Sequence, residues 1–225
     1  MMGRHIDSTT STAMALLLSV VSSAVVHAET IEVIVVDPDG TPVPEVVVFV
    51  EQDGAKVRRA ARASAVMDQR DSQFVPHVLV VQKGASVLFP NSDTIGHHVY
   101  SFSKPNNFVL PLYTGNPHDP VTFHHDGVVI LGCNIHDHML GYIVVVDTDV
   151  FGLTDESGSA SLSIADSAGS YVVNIWSPRI RDGKQELSKT VESSSLAKSE
   201  LTFALQRKLR APHHQQTEAV QWSEY

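Results

Sequence analysis

Between Ile31 and Val50 the apolar residues either alternate with polar ones or run on as β-branched pairs, and no helical period competes with them. Ile31 to Val36 therefore reads as a strand, Asp37-Pro38-Asp39-Gly40 as a tight turn, and Glu45 to Val50 as a second strand. From Asp53 to about Ala65 the chain is polar and alanine-rich, with Arg58, Arg59 and Arg62 clustered, which predicts a linker or short helix. A second series of strands begins near Phe74: Val78 to Val81, Ser86 to Phe89, His97 to Ser103, Val121 to Phe123, Val128 to Leu131 and Gly141 to Val146. Turn signals at Lys83-Gly84, Pro90-Asn91, Lys104-Pro105-Asn106-Asn107 and Asp126-Gly127 separate them, and short strands so spaced predict an all-β sandwich or barrel. Four more runs, Ala160 to Ile164, Gly169 to Trp176, Glu186 to Val191 and Glu200 to Leu205, alternate in the same way. Residues 207–225 are polar and aperiodic and predict a mobile tail.

The N-terminus adds an address. Arg4 and His5 precede an apolar stretch from about Ala13 to Val26, and Val26-His27-Ala28 follows, the pattern of a secretory signal peptide cleaved after Ala28. The stretch is too short for a comfortable membrane span, and no cysteine stands at the cleavage point to take a lipid, so the expectation is a periplasmic protein with no integral membrane segment. No arginine pair precedes the apolar run, which favours export unfolded and metal uptake outside the cytoplasm. A net charge of -9 with histidine neutral argues against nucleic acid or an anionic membrane surface as partner.

The chain has one cysteine, which cannot form a disulfide within its own chain even in an oxidising compartment. That residue opens the stretch Cys133-Asn134-Ile135-His136-Asp137-His138-Met139. A thiolate, an imidazole and a thioether on one short loop suit a mononuclear copper ion that passes electrons, because thiolate favours Cu(I), imidazole accepts both oxidation states, and a weak axial thioether tunes the potential. The missing donor is a second histidine from a distant strand, for which the adjacent pair His97 and His98 are the candidates. Eight of the 12 histidines lie between His77 and His138, so the middle of the chain carries the chemistry.

Residues 66–148 resemble a cupredoxin, the Greek-key β-sandwich of plastocyanin and amicyanin. The resemblance rests on Asn91 followed six residues later by His97, on Val99, and on Cys133-x-x-His136-x-x-Met139-x-Gly141-x-Ile143-Val144-Val145. It implies one type 1 copper ion bound by His97, Cys133, His136 and Met139, with Asn91 fixing the loop. Strand alternation also favours His97, which shares a face with Val99, over His98, which shares one with Tyr100. The phrases Met67-Asp68-Gln69-Arg70, Phe89-Pro90-Asn91-Ser92-Asp93, His98 to Ser103 and Gly132 to Asp137 resemble exported bacterial proteins labelled methylamine utilization proteins, although nothing in these residues recognises an amine.

The flanks resemble a different module. Val35 to Pro44, with Thr154 to Gly158 and Gly169 to Val173, is similar to a carboxypeptidase regulatory-like or transthyretin-like sandwich. The expected organisation is a signal peptide (1–28), the first part of this outer Ig-like sandwich (29–54), a linker (55–65), an inserted cupredoxin (66–148), the rest of the sandwich (149–206) and the tail (207–225). Neither flank alone supplies enough strands to close a core.

The expected function is single-electron transfer between a redox donor and acceptor, without enzymatic turnover. His136 would be the electron's exit, with Ile135 and Leu140 as an apolar docking patch, and His138, His124 and His125 would be surface residues. Two rivals are a copper carrier or buffer, favoured by the accessible histidines, and an interaction module with a structural metal, favoured by the outer domain.

Overall fold

A computed structural model describes residues 28–52, 57, 64–115, 119–165, 169–181, 185–192 and 200–211. Residues 1–27 of the expected signal peptide, most of the expected linker, His118 and most of the expected tail lie outside the described residues. Among the described residues the secondary structure is all strand. In chain order the strands are β1 (Ala28–Val36), β2 (Val47–Gln52), β3 (Ser64–Val66), β4 (Asp68–Arg70), β5 (Gln73–Val75), β6 (Val78–Gln82), β7 (Ser86–Leu88), β8 (His97–Ser101) and β9 (Phe108–Tyr113). There follow β10 (Val121–Thr122), β11 (Gly127–Gly132), β12 (Leu140–Val146), β13 (Phe151–Leu153), β14 (Ser159–Ala165), β15 (Ser170–Trp176), β16 (Glu186–Glu192) and β17 (Glu200–Ala204).

Two of the sheets share one core. A three-stranded sheet in the order β14-β1-β17 and a four-stranded sheet in the order β13-β2-β15-β16 together bury Ile31, Val33 and Val35, Val48 and Val50, Leu162 and Ile164, Val173 and Ile175, and Phe203. The period of two accounts for this, because alternate side chains of each strand point to the same face. The chain leaves this core after β2 and returns at β13, which pairs with β2 at Phe151 and Phe49. The buried Thr154 hydroxyl ties the two ends together: it donates to Val43 O at 2.8 Å and accepts from Val46 N at 3.0 Å.

The intervening residues build a second core between a five-stranded sheet, β6-β12-β11-β8-β9, and a three-stranded sheet, β10-β7-β3. Its walls are Phe74, Phe89, Phe123, Val99, Leu131 and Ile143, and Cys133 and Met139 belong to the same cluster. Phe108 bridges Phe89 and Phe123, with ring centroids 5.5 and 5.9 Å apart.

The continuous apolar run of β12 has a structural reason. Ile143 and Val145 face the second core, while Val144 and Val146 join Val47, Val78 and Trp176 in a third cluster where the two units meet. A strand buried on both faces loses its alternation. Trp176 lies at this interface, its ring 5.6 Å from that of Tyr142.

Three elements differ from the sequence expectation. Ser64 and Ala65 belong to strand β3 rather than to a linker or helix. The hairpin β4–β5 has no apolar alternation to announce it, since Asp68 and Gln69 are buried polar residues. Pro111 argues against a strand in sequence, yet β9 contains it, because β9 is an edge strand and its pairing with β8 is irregular there.

Candidate metal centre

Three neighbouring strands carry the site. β11 pairs antiparallel with β12, closing at Gly132 opposite Leu140, so the connecting loop runs from Cys133 to Met139 and both its ends are pinned by the sheet. β11 also meets β8 at Gly132 opposite Tyr100, which brings the histidine-bearing strand alongside. Gly132 lets the Tyr100 ring lie close over the strand: a Cβ there would stand 2.8 Å from that ring and push it aside. Gly141 serves the other end of the loop, where a Cβ would meet Phe74 at 2.8 Å.

Inside the loop, the Met139 N–H donates to the His136 carbonyl at 2.9 Å. This tight turn leaves Asp137 and His138 exposed at its tip and returns Met139 to the interior, where it is 1% exposed. His136 is partly exposed, and its ring centroid lies 5.7 Å from that of exposed His138.

His97 is fully buried, and its Nδ1 lies 3.9 Å from the Cys133 sulfur. Donor atoms of His97, Cys133 and His136 all fall within 4.8 Å of one another. The two histidine rings are 5.0 Å apart. Buried His136 Nδ1 has no hydrogen-bond partner among the described residues, an uncommon state for a polar atom and one that a bound metal would relieve. His98 Nδ1 shares that state, but His98 alternates to the opposite face of β8 and is no part of the cluster.

The other nitrogen of His97 is also occupied. Nε2 is 2.7 Å from Asp93 Oδ2. The same carboxylate accepts the Asp71 N–H at 2.7 Å on Oδ1 and the Ser72 N–H at 3.0 Å on Oδ2. Burial pushes the Asp93 carboxyl up, but the bonds from Ser72, His97 and Asp71 outweigh it and hold the group below the usual carboxylate range. Asn91 locks this loop: its Nδ2 donates to the carbonyls of Ile95 and Tyr113, each at 2.9 Å, and its Oδ1 accepts the Asp93 N–H at 3.0 Å. Tyr113, opposite His97 across the β8–β9 pair, donates to Phe89 O and accepts from Gln69 Nε2 at 2.5 Å.

Of the sequence candidates, His97, Cys133, His136 and Met139 are thus near one another, whereas His98 is turned away and His124, His125 and His138 are exposed. The sequence reading missed Asp93. Its spacing of four residues from His97 was the available signal, but only the fold brings the two together.

The fold and the donor set define an all-β protein whose His-Cys-His-Met cluster fits type 1 copper, with soft sulfur and imidazole donors in an apolar wall. Among solved structures the chain is similar to a reduced Cu(I) form, at pH 4, of a proline-to-glycine variant of amicyanin, with a TM-score of 0.34, 21% identity, and coverage of 44% of this chain and 98% of that one. It is similar also to a copper-containing nitrite reductase from Thermus scotoductus, with a TM-score of 0.35, 24% identity, and coverage of 50% of this chain and 28% of the reductase. A purple cupredoxin from Nitrosopumilus maritimus matches with a TM-score of 0.32 and 21% identity over 37% of this chain and 99% of that one. No family model and no curated relative matches the chain.

Proposed function

We propose that this protein is an exported electron carrier of the cupredoxin type, holding one copper ion through His97, Cys133, His136 and Met139. The observation that carries the reading is the convergence of His97, Cys133 and His136 donors within 4.8 Å at the buried end of a β-sandwich, with His136 Nδ1 otherwise unpartnered. When bound, copper supplies a one-electron couple between Cu(I) and Cu(II). The chain's own part is rigidity. His97 stands on a strand, Cys133 and Met139 flank the sheet-pinned pair Gly132 and Leu140, and the turn at 136–139 holds the loop between them. Ligands so fixed change position little between oxidation states, which keeps the cost of each transfer low.

His136 is the donor with an edge toward solvent, and Ile135 beside it is 50% exposed. We assign the exit of the electron to His136 and the seat of a redox partner to the apolar surface around it. Residues 66–148 are on this reading the inserted cupredoxin, residues 29–54 and 149–206 the regulatory-like sandwich, and the protein is periplasmic and not an enzyme. Exposed His138, 5.7 Å from His136, favours a second reading as a copper carrier, since it offers a stepping ligand for metal exchange.

Visible absorption and electron paramagnetic resonance of the copper-loaded protein separate the two. An intense thiolate-to-copper charge-transfer band with narrow copper hyperfine splitting, and reversible one-electron reduction, is the expected result. Colourless protein that binds only Cu(I) and yields it readily to a chelator would replace electron transfer with carriage.

A further inference from the structure

We propose that Asp93 is the positioning residue of the site: its carboxylate, clamped by the tip of the β4–β5 hairpin, holds His97 with Nδ1 free toward the metal and sets a negative charge one imidazole away from it. The proposal rests on the copper reading above. His97 Nε2 lies 2.7 Å from Asp93 Oδ2, and an ionised carboxylate can only accept, so the proton sits on Nε2 and the lone pair on Nδ1, the atom 3.9 Å from the Cys133 sulfur. A carboxylate behind a metal-bound imidazole makes the ring a stronger donor and orients it.

The surrounding structure is built to keep that carboxylate in place. Arg70 pairs with Gln73, leaving Asp71 and Ser72 as a two-residue turn with φ of 54° and 55°, the left-handed region that side chains other than glycine rarely occupy. In that conformation both N–H groups point at Asp93, one to each oxygen. The hairpin is in turn stitched to the chain before Asp93. Ser92 Oγ donates to both Asp68 oxygens at 3.0 and 2.8 Å, Arg70 pairs with Asp68 at 2.9 Å, the Gln69 N–H donates to the Pro90 carbonyl at 3.0 Å, and the Ser92 N–H donates to the Gln69 carbonyl at 2.9 Å. Thus Met67-Asp68-Gln69-Arg70 and Phe89-Pro90-Asn91-Ser92-Asp93, distant in sequence, form one clamp. Its output is the orientation of a single buried histidine.

Removing the charge while keeping the shape, Asp93→Asn, is expected to favour Cu(I), the less positive state. Spectroelectrochemical titration should show about a tenfold change in the Cu(II) to Cu(I) ratio at fixed potential, a rise of about 59 mV for a one-electron couple. Ser92→Ala is the structural control, because it loosens the same clamp through Asp68 and leaves the carboxylate beside His97. It should lower the melting temperature and shift the ratio less than about twofold. Equal shifts in the two variants, or none in Asp93→Asn, overturn the proposal. Nitrogen NMR of the metal-free protein gives a reading independent of copper: His97 protonated on Nε2 and a mixture of tautomers in Asp93→Ala supports it, and His97 protonated on Nδ1 in the unmutated protein overturns it. A protein that never develops the copper band while His97 keeps its Nε2 proton would sink the copper reading and leave the Asp93 to His97 bond standing.

Discussion

The two cores of this molecule use the same alternation of side chains and end differently. The outer core, from Ile31 to Val50 and Ala160 to Leu205, is aliphatic almost throughout and contains neither cysteine nor histidine. The inner core is walled by Phe74, Phe89 and Phe123, and at one end it admits Cys133 and Met139, beside fully buried His97. A β-sandwich closes its middle with apolar side chains. Its ends are made by loops, where a buried polar donor survives only if something satisfies it. In the inner unit the 133–139 loop and the 91–97 segment meet across that end, Asp93 and Asn91 satisfy the His97 side of it, and His136 Nδ1 is left without a hydrogen-bond partner among the described residues.

The comparison breaks most sharply at Cys133. Cys133→Ala removes the one thiolate, and the copper charge-transfer band should vanish completely. Survival of the band would show that the sulfur is only core packing. Trp176→Ala tests whether the two units are mechanically one. Trp176 is 3% exposed against Val47, Val78, Val144 and Val146, so its truncation should cost about 3–5 kcal/mol in chemical denaturation. The expected signature is two separated unfolding transitions, reported by copper absorbance and by circular dichroism, in place of coincident ones.

A smaller effect sharpens the contrast from the outer side. Leu162→Ala opens a cavity in the aliphatic core and should destabilise the protein by about 2–5 kcal/mol, with the copper spectrum per folded molecule unaltered. Loss of the band in parallel would mean that the outer core helps to shape the ligands. The smallest effect is at high pH. Burial pushes the Tyr113 phenol up to about 12, against the bond from Gln69, and nearby Asp68 adds to the rise. The raised group binds its proton more tightly in the folded state, so its contribution is complete below the ordinary value of 10.0 and is lost as pH climbs through 12. The difference between phenolate absorbance titrations of the protein and of Tyr113→Phe should centre near 12. A midpoint near 10.0 would place Tyr113 in solvent.

Local chemistry made much of this legible. β-branched runs announced β1, β6, β11, β12 and β15, since such residues suit an extended backbone. The Asp37 to Gly40 turn was readable because aspartate bonds its own backbone two and four residues on, to Asp39 N and Thr41 N, and Gly40 takes a φ of 81°. Period two also distinguished the faces of His97 and His98, the first buried and the second partly exposed.

What sequence alone determined, then, was the all-β class, the position of most strands, and the residue types capable of holding a soft metal, because these depend on neighbours within a few residues. Tertiary structure decided the rest. The hairpin β4–β5 and the edge strand β9 exist because distant segments complete their hydrogen bonds, and neither Asp68-Gln69-Arg70 nor a proline-bearing run carries that information locally. Trp176 covers Val144 and Val146 only because the chain returns to β2 after a long excursion. Asp93 meets His97 in an orientation set by N–H groups from another hairpin, a geometry that spacing permits and only the folded chain selects.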